Sequence, residues 1–327
     1  MDPNPSWTRA PCAGVPQPGA GREGASAAPF ASAMPPPPPR PGGSPSAAWG
    51  EFFERARDVA VGEDTFCVYE AGRDGPLLLC LHGAGYSALT WAFMARALTV
   101  AVPCRVAAMD LRGHGASRTA ELDYSCARLT ADVAAVAAAL QADAPSAPLV
   151  LVGHSLGGAI ACHLSRLLPA LGGLVLLDVV EGTALASREH TVAAVAARPT
   201  AFADLPSALA WALRAGVSRN ATAAAPSLAA ALQPAPGGGL VWRTSLAATE
   251  PFWESWFIGI GDAFLTARCP KLLLLCGTER LDAQLTLAQM QGRFQLVLVP
   301  QAGHAIQEDE HARTADALAA FLRRFVP

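Results

Sequence analysis

The chain has 327 residues, of which 52% are hydrophobic and 16% charged, with a net charge of −3. That length suits one large α/β domain with a tail, or two small domains, and the apolar content supplies a sizeable core. No run of about 18 residues is apolar without polar, Gly or Pro interruption, so no membrane span is expected. The charge forms no basic stripe, which argues against a nucleic-acid partner.

Residues 1–46 hold thirteen of the 27 prolines, including the run Pro35 to Pro39. A Pro/Ala/Gly/Ser-rich segment cannot bury a core, and the reading is a disordered tail with a short polyproline II stretch. It has no apolar h-region, so no secretory signal is expected. Arg9, Arg22 and Arg40 with few acids are compatible with an organelle transit peptide, although no amphipathic pattern supports one. The eight cysteines (12, 67, 80, 104, 126, 162, 269 and 276) form no C-x-x-C pair. Several fall inside apolar runs, which suits buried reduced thiols and a reducing compartment, cytoplasmic or nuclear.

From Trp49 the pattern becomes globular, and residues 47–327 are read as one domain. Strands are predicted at 64–69, 76–81, 104–109, 149–152, 173–177, 272–276 and 294–299, with a helix over 127–140. Continuous apolar strands separated by helical segments predict a mostly parallel sheet covered on both faces. Every candidate polar group follows the C-terminal end of its strand, the edge where open α/β sheets bind ligands. Between Glu181 and Cys269 the strand pattern stops. Nearly 90 residues is far beyond an ordinary connection of about 2–6, so a helical lid over 182–268 is predicted. It carries Trp211, Trp242, Trp253 and Trp256, and Gly237-Gly238-Gly239 reads as a flexible loop within it.

The most informative stretch is Leu149-Val150-Leu151-Val152-Gly153-His154-Ser155-Leu156-Gly157-Gly158. This is G-x-S-x-G set between an apolar strand and a helix, the context a nucleophile elbow requires. Gly153 and Gly157 let the backbone close up and leave the Ser155 hydroxyl above the sheet edge. The N–H of Leu156 opens the helix, where unpaired donors favour a developing oxyanion. His82-Gly83-Ala84-Gly85-Tyr86 is positioned to supply the second donor, near Ala84.

Among seven histidines, His304 alone combines a strand-end position with the order nucleophile before base. His82 and His114 sit in Gly-rich turns and read as braces. His154 lies within the elbow, and His163, His190 and His311 read as helix or surface residues. The carboxylate that must hold the imidazole's tautomer remains open between Asp178, Glu279 and Asp282. Asp110 precedes the serine and belongs to the turn Asp110 to Gly115.

Several longer stretches resemble the protein phosphatase methylesterase family. They are Leu81-His82-Gly83-Ala84-Gly85-Tyr86, Gly153-His154-Ser155-Leu156-Gly157-Gly158, Asp178-Val179-Val180-Glu181-Gly182-Thr183-Ala184, Arg198-Pro199-Thr200-Ala201-Phe202, Trp253-Glu254-Ser255-Trp256-Phe257 and Gln289-Met290-Gln291-Gly292. The similarity runs from about Trp49 to the C-terminus. It implies an α/β-hydrolase fold and a serine esterase that demethylates the C-terminal leucine of the protein phosphatase 2A catalytic subunit. Carried over by motif, Ser155 is the nucleophile, Asp178 the acid and His304 the base. The mechanism needs no cofactor and no metal, and a monomer is expected.

Two departures stand out. Animal members carry a long acidic insertion near where this chain has only 233–240. Ala84 replaces the second glycine of the family's His-Gly-Gly-Gly turn. Gly83, Tyr86, Trp253 and Trp256 are expected to line the substrate pocket, and Arg243 to grip the peptide backbone. The competing readings are a small-molecule esterase or lipase, and a non-catalytic phosphatase-binding protein.

Overall fold

The computed structural model describes residues 49–168 and 170–326. The predicted tail over 1–46 lies outside the described residues. Among those described, the strands in chain order are β1 (Arg55–Val61), β2 (Asp64–Ala71), β3 (Leu77–Leu81), β4 (Arg105–Met109), β5 (Leu149–His154), β6 (Gly173–Leu177), β7 (Ala201–Phe202), β8 (Leu232–Pro234), β9 (Leu240–Trp242), β10 (Lys271–Leu275) and β11 (Gln295–Leu298).

Eight strands form the central sheet in the order β1-β2-β4-β3-β5-β6-β10-β11. β1 and β2 are antiparallel, as are β2 and β4, and every later neighbour is parallel. The side-chain period of two explains why the central strands read as unbroken apolar runs. Leu77, Leu79, Leu81, Leu149, Leu151, Leu174 and Leu176 enter the core on one face. Leu78, Cys80, Val150, Val152, Val175 and Leu177 enter the core on the other. Each fully buried aliphatic side chain contributes roughly 1.5–3 kcal/mol over an exposed one. Helices Cys126–Ala142 and Leu156–Ser165 cover the first face, while Ala92–Ala101 and His311–Phe325 cover the second.

A buried ion cluster fixes the turn after β4. The guanidinium of Arg112 donates through Nε to Asp132 at 2.7 Å and also meets Asp64. Its Nη1 donates to the Glu121 carbonyl. All three charged side chains are buried, and Arg128 adds a second cation to both acids, at 2.7 Å from Asp64 and 3.3 Å from Asp132.

Two elements were not foreseen. The edge strand β1 is Arg-Ala-Arg-Asp-Val-Ala-Val, and its charged residues hide the alternation that marks a strand. The lid is not purely helical. β7, β9 and β8 form a small antiparallel sheet with its own core of Phe202, Ala208, Ala212, Leu228 and Leu232. The Gly237-Gly238-Gly239 segment is the hairpin turn between β8 and β9, closed by Ala235 N–H to the Gly239 carbonyl at 3.0 Å. Gly238 and Gly239 have φ of 93° and 76°, the conformation that requires glycine there.

Candidate active site

Ser155 follows β5 directly and opens helix Leu156–Ser165, with φ 52° and ψ −119°. Its N–H is held by the Leu177 carbonyl at 3.1 Å. The elbow leaves no room for side chains on its flanks. A Cβ on Gly153 would lie 2.4 Å from the Gly157 carbonyl oxygen, and one on Gly157 would lie 2.2 Å from that of Leu81. Asp178, directly after β6, has φ 50°. Ser155 and Asp178 are the two non-glycine residues with positive φ among the described residues. Such positions cost about 1–3 kcal/mol each and persist only where the surroundings over-determine them.

His304 follows β11, and its Nδ1–H donates to Asp178 Oδ2 at 2.7 Å. Arg280 Nη1 approaches the same oxygen at 3.1 Å. The Asp178 carboxyl is fully buried, which opposes ionisation, but the His304 hydrogen bond and the nearby positive charges outweigh burial. Its pKa is accordingly held below the ordinary carboxylate value. Neither alternative acid occupies this position. Asp282 caps helix Ala283–Met290 by accepting from Leu285 N–H at 2.8 Å. Glu279 lies on the cavity wall. Asp110 is taken up by the N–H groups of Ala88 and Ala116, each at 2.7 Å.

The loop after β3 is held by two neutral histidines. His82 accepts from Leu111 N–H at 3.0 Å and donates to the Gly83 carbonyl at 2.8 Å. His114 accepts from Gly85 N–H at 3.0 Å and donates to the Arg112 carbonyl at 2.8 Å. Each ring uses one nitrogen as acceptor, so a proton there would break a bond. Burial lowers both pKa values, that of His114 to about 4.

His154, noted in the sequence only as part of the elbow, braces His304. Its Nε2–H donates to the His304 carbonyl at 2.8 Å, and the two rings stand 4.6 Å apart. Burial, then the neighbouring His304, lowers its pKa to about 3, so it stays neutral. Gly83 passes so close that a Cβ would lie 2.9 Å from His154 Nδ1.

Ser155, Asp178, His304, Ala84, Leu156 and Tyr86 border one cavity of about 910 Å³, which the lid roofs. Leu156 begins its helix, so its N–H is among the first-turn donors with no intrahelical acceptor. Ser155 and the hydrogen-bonded His304–Asp178 pair border the same cavity, and groups of these types are the ones acyl transfer employs. Among the described residues, no group of three or more His, Cys, Asp and Glu is placed to hold a metal ion. No described helix is long and apolar enough to cross a membrane.

Residues 78–317 match the alpha/beta hydrolase family. Protein phosphatase methylesterase 1 of Bos taurus is 38% identical over 325 residues, covering 84% of this chain and 85% of its own. The protein of the same name from Aspergillus fumigatus is 39% identical over 307 residues, covering 86% and 73%. This chain belongs to the protein phosphatase methylesterase family. Among solved structures, a novel esterase from Mycobacterium tuberculosis superposes with a TM-score of 0.65 at 26% identity, covering 86% of this chain and 99% of its own. E-2-(acetamidomethylene)succinate hydrolase superposes with a TM-score of 0.68 at 25% identity, covering 82% and 99%.

In this methylesterase-family chain the predicted lid residues divide. Trp253 and Trp256 border the cavity, yet both also pack into the core of the sheet. The Trp256 indole N–H donates to the Tyr124 carbonyl at 2.7 Å, and His163 donates to the Trp256 carbonyl at 2.9 Å. The Tyr86 hydroxyl donates to the Val217 carbonyl at 2.9 Å and ties the loop after β3 to the lid. Arg243 does not border the cavity. Its Nε donates to the Leu232 carbonyl at 2.9 Å, within the small sheet. Three arginines do border it: Arg188, which pairs with Glu250, Arg280, which pairs with Asp178, and Arg198, which the sequence offered only as part of a matching stretch.

Proposed function

We propose that this chain is a serine esterase that removes the methyl ester from the C-terminal leucine of the protein phosphatase 2A catalytic subunit. His304 accepts the Ser155 proton through Nε2 while Nδ1–H stays on Asp178. Ser155 Oγ attacks the ester carbonyl, and N–H groups near Ala84 and on Leu156 receive the oxyanion. The C–O bond to the methoxy group breaks, and His304 returns the proton, so methanol leaves. Water then attacks the acyl-serine with His304 as base, releasing the leucine carboxylate and restoring the hydroxyl.

The observation that carries this reading is the 2.7 Å contact between His304 and Asp178 on a cavity that a serine in strained backbone also borders, all inside the region matched to the alpha/beta hydrolase family. The chemistry draws on this chain's own residues alone and needs no cofactor or metal. The chain acts as a monomer, in the cytoplasm or nucleus, as one domain over 47–327 with its lid over 182–268.

The test offers the purified protein a methylated, leucine-ended phosphatase tail peptide and a simple aryl ester, and measures methanol and acid release. Hydrolysis of the peptide with a far higher kcat/KM supports the reading. Cleavage of the aryl ester alone would leave a small-molecule esterase. No turnover of either would leave a binding protein.

A further inference from the structure

Arg198 stands on the cavity wall with no carboxylate partner among the described residues. Its guanidinium carbon lies 3.3 Å from the centre of the Trp242 ring and 5.8 Å from that of Trp211. Trp242 is itself fixed, because its indole N–H donates to the Pro199 carbonyl at 2.7 Å. The Arg198 Nε is buried without a hydrogen-bond partner. The other side of the fork abuts the loop that follows β3. A Cβ on Gly85 would lie 3.1 Å from Arg198 Nη1, and Gly85 is next to Ala84.

A cation withdrawn from water is costly unless something compensates. The two indoles offset part of that cost through cation–π attraction but supply no negative charge. Burial lowers the pKa to about 10, so the group is still charged at neutral pH. The fold therefore presents a stacked, oriented guanidinium with donors to spare and no counter-charge, beside the reacting centre. A planar fork of this kind is matched by the two oxygens of a carboxylate. A neutral peptide carbonyl would leave the charge uncompensated.

We propose that Arg198 forms an anionic subsite of the cavity, taking a carboxylate of the peptide substrate or product. The inference rests on the methylesterase reading above. The carboxylate has two sources: an acidic side chain within a few residues of the ester, or the C-terminal carboxylate that hydrolysis creates.

The test compares wild type with Arg198→Met, which keeps a flexible chain against Trp242, and Arg198→Lys, which keeps charge without the fork. Two leucine methyl ester peptides, one with an upstream Asp and one with Asn in its place, are compared by kcat/KM. Separately, the free-acid product peptide and its C-terminal amide are compared as inhibitors of aryl-ester hydrolysis. A charged hydrogen bond predicts a preference of about tenfold or more for the acidic partner in wild type. The ratio should fall to near one in Arg198→Met and to an intermediate value in Arg198→Lys. Preference in the ester pair assigns the side chain as the source, and preference in the inhibitor pair assigns the product. Equal behaviour of acidic and neutral partners in wild type, or a preference that survives in both variants, overturns the inference. If wild type cleaves the aryl ester and neither methyl ester, the methylesterase reading fails, while the inhibitor pair still decides on Arg198.

Discussion

At the sheet edge, Ser155 and Asp178 hold positive φ, His154 holds the His304 backbone, and His82 and His114 fasten the loop that follows β3. In the lid, helices Glu181–Ala186 and Arg188–Ala196 bury no residue at all. The lid's own core is five side chains, and it joins the body through Trp253 and Trp256 on one side and through helix Ala221–Ala231 and the Ser218–Asp309 hydrogen bond on the other. One wall of the cavity is over-determined and the other lightly held. Catalytic geometry needs the first, because a displaced reacting group loses rate steeply. Admitting a protein terminus suits the second, since segments with few buried contacts open at low cost.

The largest effect expected from breaking the rigid wall is at the serine. Ser155→Ala removes one hydroxyl from a site that accepts small side chains, so the fold should persist. Turnover should fall by about 10⁴-fold or more, the loss typical of a triad acting as a unit. Steady-state assay of the purified variant, with circular dichroism as the folding check, decides it; near-normal turnover would sink the serine mechanism.

Next comes the carboxylate. Asp178→Asn keeps shape but favours the wrong imidazole tautomer, and kcat should drop roughly 10³- to 10⁴-fold. Asp282→Asn removes only a cap contact to Leu285 and should cost at most about 1 kcal/mol of stability with little change in kcat. If the two variants exchange these phenotypes in parallel assays, the acid has been misassigned.

The sheet side was legible in the sequence to a degree the lid was not, and the reason is periodicity. β3, β5, β6 and β10 are apolar on both faces, so their strands and the polar residues at their ends stand out. The strand bounds agree with those predicted to within two residues, and β6 matches at both ends. The strand pattern alone did not choose among Asp178, Glu279 and Asp282, because three acids follow strands at one edge and only side-chain direction separates them; the family resemblance pointed to Asp178. In the lid, β7, β8 and β9 have two or three residues each, too short for alternation to register. Arg243 and Arg198 look alike in sequence. Which one borders the cavity depends on how a three-residue strand pairs.

Trp256 tests how the two walls are joined. It is almost fully buried, hydrogen-bonded to Tyr124, and borders the cavity from beneath. Trp256→Ala should cost about 3–5 kcal/mol of stability, the range for deleting a large buried aromatic ring. Urea denaturation measures that, and a loss under 1 kcal/mol would show that the lid does not depend on this anchor. Comparing the tail peptide with an aryl ester then separates joining from recognition. Equal fractional losses in kcat/KM mark a purely structural role, whereas a greater loss on the peptide marks a pocket residue as well.

A pH-dependent effect, smaller than that of Trp256→Ala, lies at the seam between the walls. Glu308 is buried on the cavity border, and its Oε1 accepts from the Thr90 hydroxyl at 2.7 Å. Thr90 in turn accepts from Gln307 Nε2 at 2.9 Å. Burial first, with Asp309 nearby, raises the Glu308 pKa to about 7, while hydrogen bonds from Thr90, Ser218 and Ser227 only partly oppose that. An acid whose folded pKa exceeds its unfolded value favours folding while it is protonated. Its contribution is complete below the unfolded pKa of about 4.3 and fades as pH rises through about 7. Glu308→Gln keeps an acceptor for Thr90 without the titration. Relative to this variant, wild type should lose about 2 kcal/mol of stability between pH 5 and pH 8. Urea titrations of both proteins at the two pH values give that difference directly. A difference that does not change with pH would mean that Glu308 is ionised throughout and that the seam carries a charge facing Tyr86 and the substrate cavity.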